Sequence, residues 1–490
     1  MPTIESIDWQ VLMPELVIVC TFFLVMIFDM FGAVQKSWLA WLTILGSVIA
    51  LVVSFQLLQK GTDVAQFNEM LRIDKYSLYF NIIFLVSTIL VVLISVNYLG
   101  SSDKRQGEYY LMILLATLGM MLMAAGNELI IIFLGLELMS LSLYVLAGYF
   151  RQDQASSEAG MKYLLLGAFA SGFFLYGIAL IYGGAEGTTS VPEIADVLTA
   201  GEPSALLIAG LFLLVVGFGF KVALVPFHQW APDVYEGAPT AIAAFISAGP
   251  KAAGFAAFLR IFIPILQNLQ ETNTALGDQW ILGLTVLAVL TMTIGNVVAI
   301  AQRNIKRMLA YSSIAHAGYV LVALVAANQD GIASAMLYLL VYCIMNIGAF
   351  GAVILARTED GESLTISDYA GLGFRKPLLA IFMTVMLLSL AGFPPTAGFV
   401  GKLYVFRSAV DAGQIWLVII AAINTAISAF YYLRVVITMY MREPDEELDF
   451  LRYPGVLVFA LLLATIGVML IGILPSYILD PTQMSTFLQK

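Results

Sequence analysis

Three lysines stand inside long apolar segments, where a side chain that gains and loses a proton is unusual. They are Lys221, Lys251 and Lys402. A charge at the centre of a membrane costs about 2.5 to 3.5 kcal/mol on insertion scales, so such a residue is normally paired, hydrated or functional. Desolvation weakens the hold of a lysine on its proton and a neighbouring carboxylate strengthens it. Because a moving charge can therefore switch a buried lysine between two states, these residue types favour a proton relay.

Glu137 is the acid that such a relay needs. It lies about halfway along an apolar segment, in Phe133-Leu-Gly-Leu-Glu-Leu-Met-Ser140. A carboxylate that only ties neighbouring helices together is the alternative interpretation, and a buried acid can serve both purposes at once.

Prolines interrupt two of the segments that carry these lysines. Lys221 is followed by Pro226, whose missing backbone N–H frees a carbonyl one turn earlier. Lys402 follows Pro394 and Pro395 in an apolar run of 34 residues, which as one helix would measure about 51 Å and exceed a membrane core. We expect a helix break at both places and a hydrated site beside each break.

Lys251 and two histidines complete the candidate residues. Lys251 follows Gly249-Pro250 and lies about eleven residues from either end of its segment, too deep to reach the surface by snorkelling. His316 in the middle of its segment and His228 near the first break titrate near neutral pH and can bridge other groups. A core histidine that is simply satisfied by hydrogen bonds is an equally good interpretation of each.

The composition places these residues in a membrane. The chain has 490 residues, of which 61% are hydrophobic and 11% charged, with a net charge of −10 and a mean hydropathy of +0.93. Soluble domains carry about 25% charged residues, so a soluble enzyme and a disordered chain are excluded. The acidic balance excludes a nucleic-acid binder. Cys20 and Cys343 lie in separate apolar runs, which argues against a disulfide framework.

The fold class predicted from the apolar runs is an all-α integral membrane protein with about 14 transmembrane helices. A spanning helix needs about 20 apolar residues. The predicted spans are 13–32, 38–58, 77–99, 109–126, 128–149, 159–183, 204–227, 240–266, 280–301, 305–327, 333–356, 377–410, 416–441 and 453–479. The first span lacks a basic leader, so we expect a permanent helix rather than a signal peptide. Most Lys and Arg residues follow odd-numbered helices, which predicts that both termini face the periplasm.

An internal repeat divides the predicted helices. Tyr144-Val-Leu recurs as Tyr319-Val-Leu, and Gly217-Phe recurs as Gly392-Phe, both at an offset of 175 residues. The offset equals five helices, an odd number, so the second copy must cross the membrane in the opposite sense, as in secondary transporters. We predict an N-terminal unit (1–108), two inverted five-helix repeats (109–267 and 280–441, with broken helices 7 and 12) and a last helix with the C-terminus (453–490).

Motifs for nucleotides and redox centres are missing from the sequence. It has no GxxxxGK[ST], no GxGxxG after a strand, no CxxC cluster and only two histidines, which lie on dissimilar helices. We therefore expect no cofactor or metal in this chain and no redox chemistry of its own.

Several longer segments resemble a known family. They are Leu134-Gly-Leu-Glu-Leu-Met-Ser-Leu141, Ser157-Glu-Ala-Gly-Met-Lys-Tyr163, Lys221-Val-Ala-Leu-Val-Pro-Phe-His-Gln-Trp-Ala-Pro-Asp-Val-Tyr-Glu-Gly-Ala-Pro239 and Asn304-Ile-Lys-Arg-Met-Leu-Ala-Tyr-Ser-Ser313. Together with the helix 12 segment they resemble the N subunits of bacterial NADH:quinone oxidoreductase, respiratory complex I, within the antiporter-like subunit family. The resemblance covers essentially the whole chain.

The resemblance implies a proton-translocating module in the membrane arm of complex I, in the inner membrane of a bacterium. It implies Glu137 and Lys221 as the helix 5 to helix 7 pair, Lys251 as the central lysine and Lys402 as the terminal lysine. It further implies that FMN, the iron–sulfur clusters and quinone belong to partner subunits, and that the partners of this chain are other membrane-arm subunits and the lipid bilayer.

Two other functions stay open from the sequence. A subunit of a multisubunit cation/proton antiporter would use the same buried groups with an ion gradient alone. A structural scaffold would use the lysines only to lock helices together, although three lysines beside breaks are a costly way to pack.

Overall fold

The fold is built almost entirely of helices. The computed structural model describes residues 7–31, 37–96, 98–99, 106–200, 203–272, 274–358, 361–362, 364–444, 450–476, 482 and 485–486. The helices are α1 (Met13–Met30), α2 (Ser37–Lys60), α3 (Lys75–Ser95), α4 (Gln106–Ala125), α5 (Leu129–Ala147), α6 (Gln154–Gly184), α7 (Val191–Ala200), α8 (Ala205–Lys221), α9 (Trp230–Gly237), α10 (Thr240–Ser247), α11 (Gly249–Thr272), α12 (Thr274–Ala301), α13 (Ile305–Val325), α14 (Gln329–Leu355), α15 (Leu372–Arg375), α16 (Pro377–Ala391), α17 (Ala397–Asp411), α18 (Ile415–Met441) and α19 (Gly455–Ile473).

Two small hairpins lie in the connections. Strand β1 (Val64–Gln66) pairs antiparallel with β2 (Leu71–Ile73), and β3 (Arg357–Thr358) pairs antiparallel with β4 (Gly361–Glu362). Neither hairpin was predicted from the sequence, because strands of two or three residues carry no readable alternation.

The predicted fold class is confirmed. Within the described residues, 12 spans are long and apolar enough to cross a membrane, with α10 and α11 counted together, and α8 and α16 are shorter apolar helices. The two shorter helices belong to the predicted helices 7 and 12, which are both broken. The predicted 14 crossing segments are therefore all present.

Polar caps define where many of the helices begin. The side chains of Asp74, Asp153, Ser204, Asn304 and Asn328 each accept a hydrogen bond from a backbone N–H in the first turn of α3, α6, α8, α13 and α14. Such caps satisfy N–H groups that have no partner within the helix. Each apolar helix therefore starts at a defined residue.

Two predicted boundaries were wrong. Helix 7 was predicted to run to residue 227, but α8 ends at Lys221, before Pro226. Helix 8 was predicted as one unbroken segment over 240–266, but Ala248 leaves helical geometry between α10 and α11 (φ −108°, ψ −88°). Pro250 supplies a physical reason for the break at Ala248, since its ring has no N–H to bond the preceding turn.

The centre of the bundle is made by α3, α10, α11, α13 and α14. These helices are buried along most of their length, whereas only 22% to 33% of the apolar part of α1, α6, α18 and α19 is buried. The exposed faces carry large apolar side chains, as a lipid-facing surface requires. Lys251 and His316 lie on the central helices, far from lipid.

Candidate functional site

The first break ends α8 directly after Lys221. Ala223 adopts a left-handed conformation (φ +59°), and the N–H groups of Ala223 and Leu224 bond the carbonyls of Phe220 and Gly219. This pair of bonds is the Schellman arrangement that closes helix C-termini. Helix 7 therefore stops because of its own C-cap, and Lys221 is held in its last turn.

Lys221 lies against side chains of α5 and α6. It is 5% exposed, and its Nζ donates hydrogen bonds to Ser140 Oγ at 2.9 Å and to Tyr163 Oη at 3.5 Å. Nζ also lies 5.7 Å from the centroid of the Tyr163 ring, which stacks on Trp230. These hydrogen-bond partners are neutral, so they hold the lysine in place without a carboxylate.

Glu137 lies one helical turn before Ser140 on α5. It is half-buried, and it accepts a short hydrogen bond from Ser171 Oγ of α6. Among the described residues no ion pair within 4.0 Å joins Glu137 to Lys221. A cavity of about 10 Å³ lined by Ser140, Ser171 and Lys221 lies beside them, about the size of one water molecule.

Lys251 and Lys221 lie on helices that touch at Gly254. A Cβ placed on Gly254 would stand 2.6 Å from Val222 Cγ1 and 3.5 Å from Lys221 Cγ. The end of α8 therefore packs directly on α11, one turn after Lys251. Lys251 itself is 3% exposed, and its Nζ bonds the carbonyl oxygen of Ser313 at 2.7 Å and also the Ser313 hydroxyl.

His316 lies one turn beyond Ser313 on α13, in a ring of tyrosines. Its Nδ1 is 2.6 Å from Tyr338 Oη and its Nε2 is 3.1 Å from Tyr432 Oη. Its ring centroid lies 5.1 Å from that of Tyr342, over which Lys251 Nζ lies at 5.9 Å. Since both ring nitrogens are bonded, His316 links the surroundings of Lys251 to α14 and α18.

Lys402 lies beyond the second break. Gly392 (φ +86°) closes α16 with the same Schellman bonds, and Lys402 Nζ bonds the carbonyls of Leu390 and Ala391 at 3.2 and 3.1 Å. A cation is stabilised at the negative end of a helix. Lys402 Nζ also lies 4.7 Å over the ring of Tyr319, one turn beyond His316.

The predicted lysines and His316 therefore form one series of contacts, from Lys221 at the end of α8 to α11, which carries Lys251, and along α13 to Lys402. His228 lies apart from it: that residue is half-buried in the first break, and its Nδ1 has no hydrogen-bond partner. The neutral partners Ser140, Tyr163, Ser171, Ser313 and Tyr338 were missed from the sequence. Only Ser140 could have been selected from the sequence, because it lies three residues after Glu137 and therefore near it on the same helix face.

A cluster of charges holds α9 at one surface of the bundle. Asp233 accepts hydrogen bonds at 2.8 Å from Lys162 of α6 and from Arg307 of α13, and Arg307 also bonds Glu236 at 2.6 Å. Burial disfavours the ionised carboxyl of Asp233, but the bonds from the two cations outweigh burial and lower its pKa. We call these residues the Asp233 cluster.

Replacing Asp233 by asparagine should destabilise the chain by about 1 kcal/mol, since partly exposed ion pairs are individually weak. The stabilisation is present above the ordinary Asp pKa of about 3.9 and is lost only as the pH falls below it, because the folded-state pKa is lowered. Thermal unfolding at pH 5 and pH 8 should show the same loss for Asp233→Asn. A smaller loss is expected for Asp411→Asn, which breaks an exposed pair with Arg407 at 3.7 Å. An unchanged unfolding midpoint for Asp233→Asn would contradict this.

No metal centre is visible in the described part of the chain. Among those residues, no group of three or more His, Cys, Asp or Glu side chains is placed to hold a metal ion. Cys343 is buried and Cys20 is exposed, and both are free thiols. The chemistry of the site is thus that of lysine, glutamate, histidine and hydroxyl groups.

Known proteins share both the sequence and the fold. Residues 126–428 match the family described as "NADH:quinone oxidoreductase/Mrp antiporter, TM". A relative from Trichlorobacter lovleyi, named NADH-quinone oxidoreductase subunit N, is 48% identical over 487 residues, which cover 98% of this chain and 97% of that one.

Solved structures agree with this. A chain of respiratory complex I from Thermus thermophilus with bound Aureothin is 33% identical, with a TM-score of 0.80 over 95% of this chain and 98% of that chain. A chain of the Mrp complex from Dietzia sp. is 20% identical with a TM-score of 0.86 over 98% and 97% of the two chains, which shows a shared fold. With such identity along nearly its whole length, the chain belongs to the NADH-quinone oxidoreductase subunit N family, within the wider NADH:quinone oxidoreductase/Mrp antiporter family.

Proposed function

We propose that this chain is the proton-translocating membrane-arm subunit of a NADH:quinone oxidoreductase, and that Glu137, Lys221, Lys251 and Lys402 carry the protons. The observation that supports the relay best is that three lysines, each at most 5% exposed, follow one another through the bundle: α8 packs on α11 at Gly254, and Ser313, His316 and Tyr319 of α13 connect Lys251 with Lys402. Buried ionisable groups in membranes mark proton paths.

The contacts suggest an order of transfer. A proton that enters near the Asp233 cluster reaches Lys221, since α9 directly follows the break at Lys221. Because α8 and α11 meet at an apolar contact at Gly254, transfer from Lys221 to Lys251 requires a water molecule between the two ammonium groups; from Lys251 the proton moves along Ser313 and His316 towards Lys402. A change of charge near Glu137 alters how firmly Lys221 holds its proton, so displacement of charge in a neighbouring subunit drives the sequence.

Redox chemistry belongs to other subunits in this proposal. FMN, the iron–sulfur clusters and the quinone site would lie in partner chains of the complex, and their energy would reach this chain as displaced charge. The relative from Trichlorobacter lovleyi bears the name of a NADH-quinone oxidoreductase subunit, which supports this placement.

The membrane arrangement is part of the proposal. We infer that residues 109–267 and 280–441 are inverted repeats, because the sequence repeat is offset by five helices, an odd number, and each copy contains a broken helix, which ends at Lys221 in the first and at Ala391 in the second. We further infer that the Asp233 cluster faces the cytoplasm and both termini face the periplasm of a bacterial inner membrane. The terminal residues 1–6 and 487–490 themselves lie outside the described residues.

A native gel tests membership of the complex directly. Mildly solubilised membranes are separated, stained for NADH oxidation, and the stained band is examined for this chain by mass spectrometry. We expect the chain in the stained band. A chain that runs apart from all NADH-oxidising activity would overturn the proposal.

The second candidate function is a subunit of a cation/proton antiporter. The fold shared with the Mrp complex of Dietzia sp. favours it. The two functions differ in their energy source, because an antiporter exchanges Na⁺ or K⁺ for H⁺ with an ion gradient alone. Proton transport that persists in vesicles without NADH but with a Na⁺ gradient would support the antiporter.

Replacing Gly254 by alanine should lower NADH-driven proton transport several-fold. The new Cβ would stand 2.6 Å from Val222 Cγ1 and would push α8 away from α11, at a cost of about 1–3 kcal/mol for overpacking. Gly283→Ala is the matched control, since a Cβ there meets nothing within 4 Å. Fluorescence quenching of a pH dye in membrane vesicles measures both variants. Equal transport by the two would show that the Gly254 contact is not needed.

A further inference from the structure

A polar cavity lies between α14 and α17, on the side of Lys402 that faces away from the break. It has a volume of about 70 Å³, enough for several water molecules. Its lining includes Ser334 of α14, Tyr404 and Ser408 of α17, and the charged side chains of Asp330 and Arg407. None of these residues takes part in the relay described above.

Two buried serines form the inner wall of this cavity. Ser334 and Ser408 are 4% and 2% exposed, and their hydroxyl oxygens are 3.2 Å apart across the two helices. Each hydroxyl also donates to a carbonyl of its own helix, that of Gly331 or Val405. A hydroxyl that already has a helix partner keeps lone pairs for a second donor, so each serine can still bind water in the cavity.

The two serines lie on the helices that carry Tyr338 and Lys402. On α14, Ser334 lies one turn from Tyr338, which bonds His316. On α17, Ser408 lies six residues beyond Lys402, a rise of about 9 Å. The ring of Tyr338 packs against Gly401, beside Lys402. The same two helices therefore carry polar groups from the relay outward to the cavity.

Neighbouring residues show at which membrane surface the cavity lies. A wider cavity of about 800 Å³, lined by Val325, Asn328 and Ala412 among others, begins at residues next to Asp330 and Asp411 of the smaller one. Val325 ends α13, whereas Arg307 in the first turn of α13 belongs to the Asp233 cluster. Since α13 has 21 residues and is about 30 Å long, the wider cavity lies at the opposite membrane surface.

We propose that the Ser334–Ser408 pair and the cavity beside it form the exit by which a proton from Lys402 reaches the surface opposite the Asp233 cluster. The inference rests on the proposed function of Lys402 as a proton carrier. Lys402 changes from an ammonium to an amine, and the proton passes through water molecules in the cavity, which the two serine hydroxyls hold in place as hydrogen-bond acceptors. Asp330 and Asp411 at the mouth receive it before it enters solvent.

Thiol labelling tests the exit without depending on transport. Ser408→Cys is made in the complete complex, and a membrane-impermeant charged thiol reagent is added to vesicles of each orientation. Labelling is read on the peptides of this chain by mass spectrometry. We expect Ser408→Cys to react at least tenfold faster than Ser54→Cys, and from one membrane side only. Ser54 is buried in α2 and bonds only the carbonyl of Ala50. Equal rates for the two would overturn the proposal.

Transport by two hydroxyl variants completes the test. Ser408→Val should lower NADH-driven proton transport at least threefold, while Ser408→Thr, which keeps the hydroxyl, should retain most of it. A Ser408→Val complex that transports normally would overturn the exit. Normal transport by Lys402→Met would instead overturn the proposed function of the relay, so the two failures are distinguishable.

Discussion

Lys221→Met should lower NADH-driven proton transport at least tenfold in the assembled complex. Methionine keeps the length and apolar stem of the side chain but has no group that carries a proton. Removing a group that transfers a proton typically costs about 10²–10⁴-fold in rate. Ser140 and Tyr163 lose a donor but keep their own hydroxyl groups, so the packing of α5, α6 and α8 should survive. Fluorescence quenching of a pH dye in vesicles measures the change.

Lys60→Met is the matched control for this variant. Lys60 is exposed at the end of α2 and should be replaceable without effect. Native gels must show equal amounts of assembled complex for both variants. If Lys221→Met reduced assembly but left transport per assembled complex unchanged, the lysine would be a structural lock and the scaffold function would be correct.

His316→Phe should lower proton transport several-fold, and His228→Phe should leave it nearly unchanged. His316 bonds Tyr338 and Tyr432 with its two ring nitrogens and lies between Lys251 and Lys402. Phenylalanine has a similar shape and keeps the ring contacts, but it offers no atom that accepts or donates a proton. His228 lies in the first break, away from this line.

The two histidine variants are each other's control. Initial rates of dye quenching, divided by the amount of complex, give the comparison. Equal losses in the two variants would contradict the assignment of His316 to the relay, and a larger loss for His228→Phe would move the path to the first break.

The crossing helices were predictable because their signal is composition alone. A run of about 20 apolar residues identifies a span whatever it packs against. The existence of both breaks was also predictable, since Pro226 and the Pro394-Pro395 pair cannot continue a helix. The end of α8 was not predictable, because it is closed by a left-handed alanine, Ala223, whereas α16 is closed by Gly392, a residue type typical of helix C-caps. A left-handed alanine has no sequence signature.

The candidate lysines were predictable and their partners were not. A lysine in an apolar run stands out by itself, so Lys221, Lys251 and Lys402 could be selected without a structure. Ser313 becomes a partner of Lys251 only because α11 packs on α13, and their separation of 62 residues carries no pattern. The position of His316 between Lys251 and Lys402, and of His228 apart from them, depends on the same packing.

The most direct measurement is the rate of proton transport, together with the rate of NADH oxidation, for purified Lys251→Met complex in proteoliposomes. Lys251 is the middle lysine, so a path through Lys221 and Lys402 must pass it. We expect proton transport to fall at least about tenfold, as when a proton-transferring group is removed, while the complex remains assembled. Wild-type rates of both proton transport and NADH oxidation in this variant would show that the protons do not pass through Lys251.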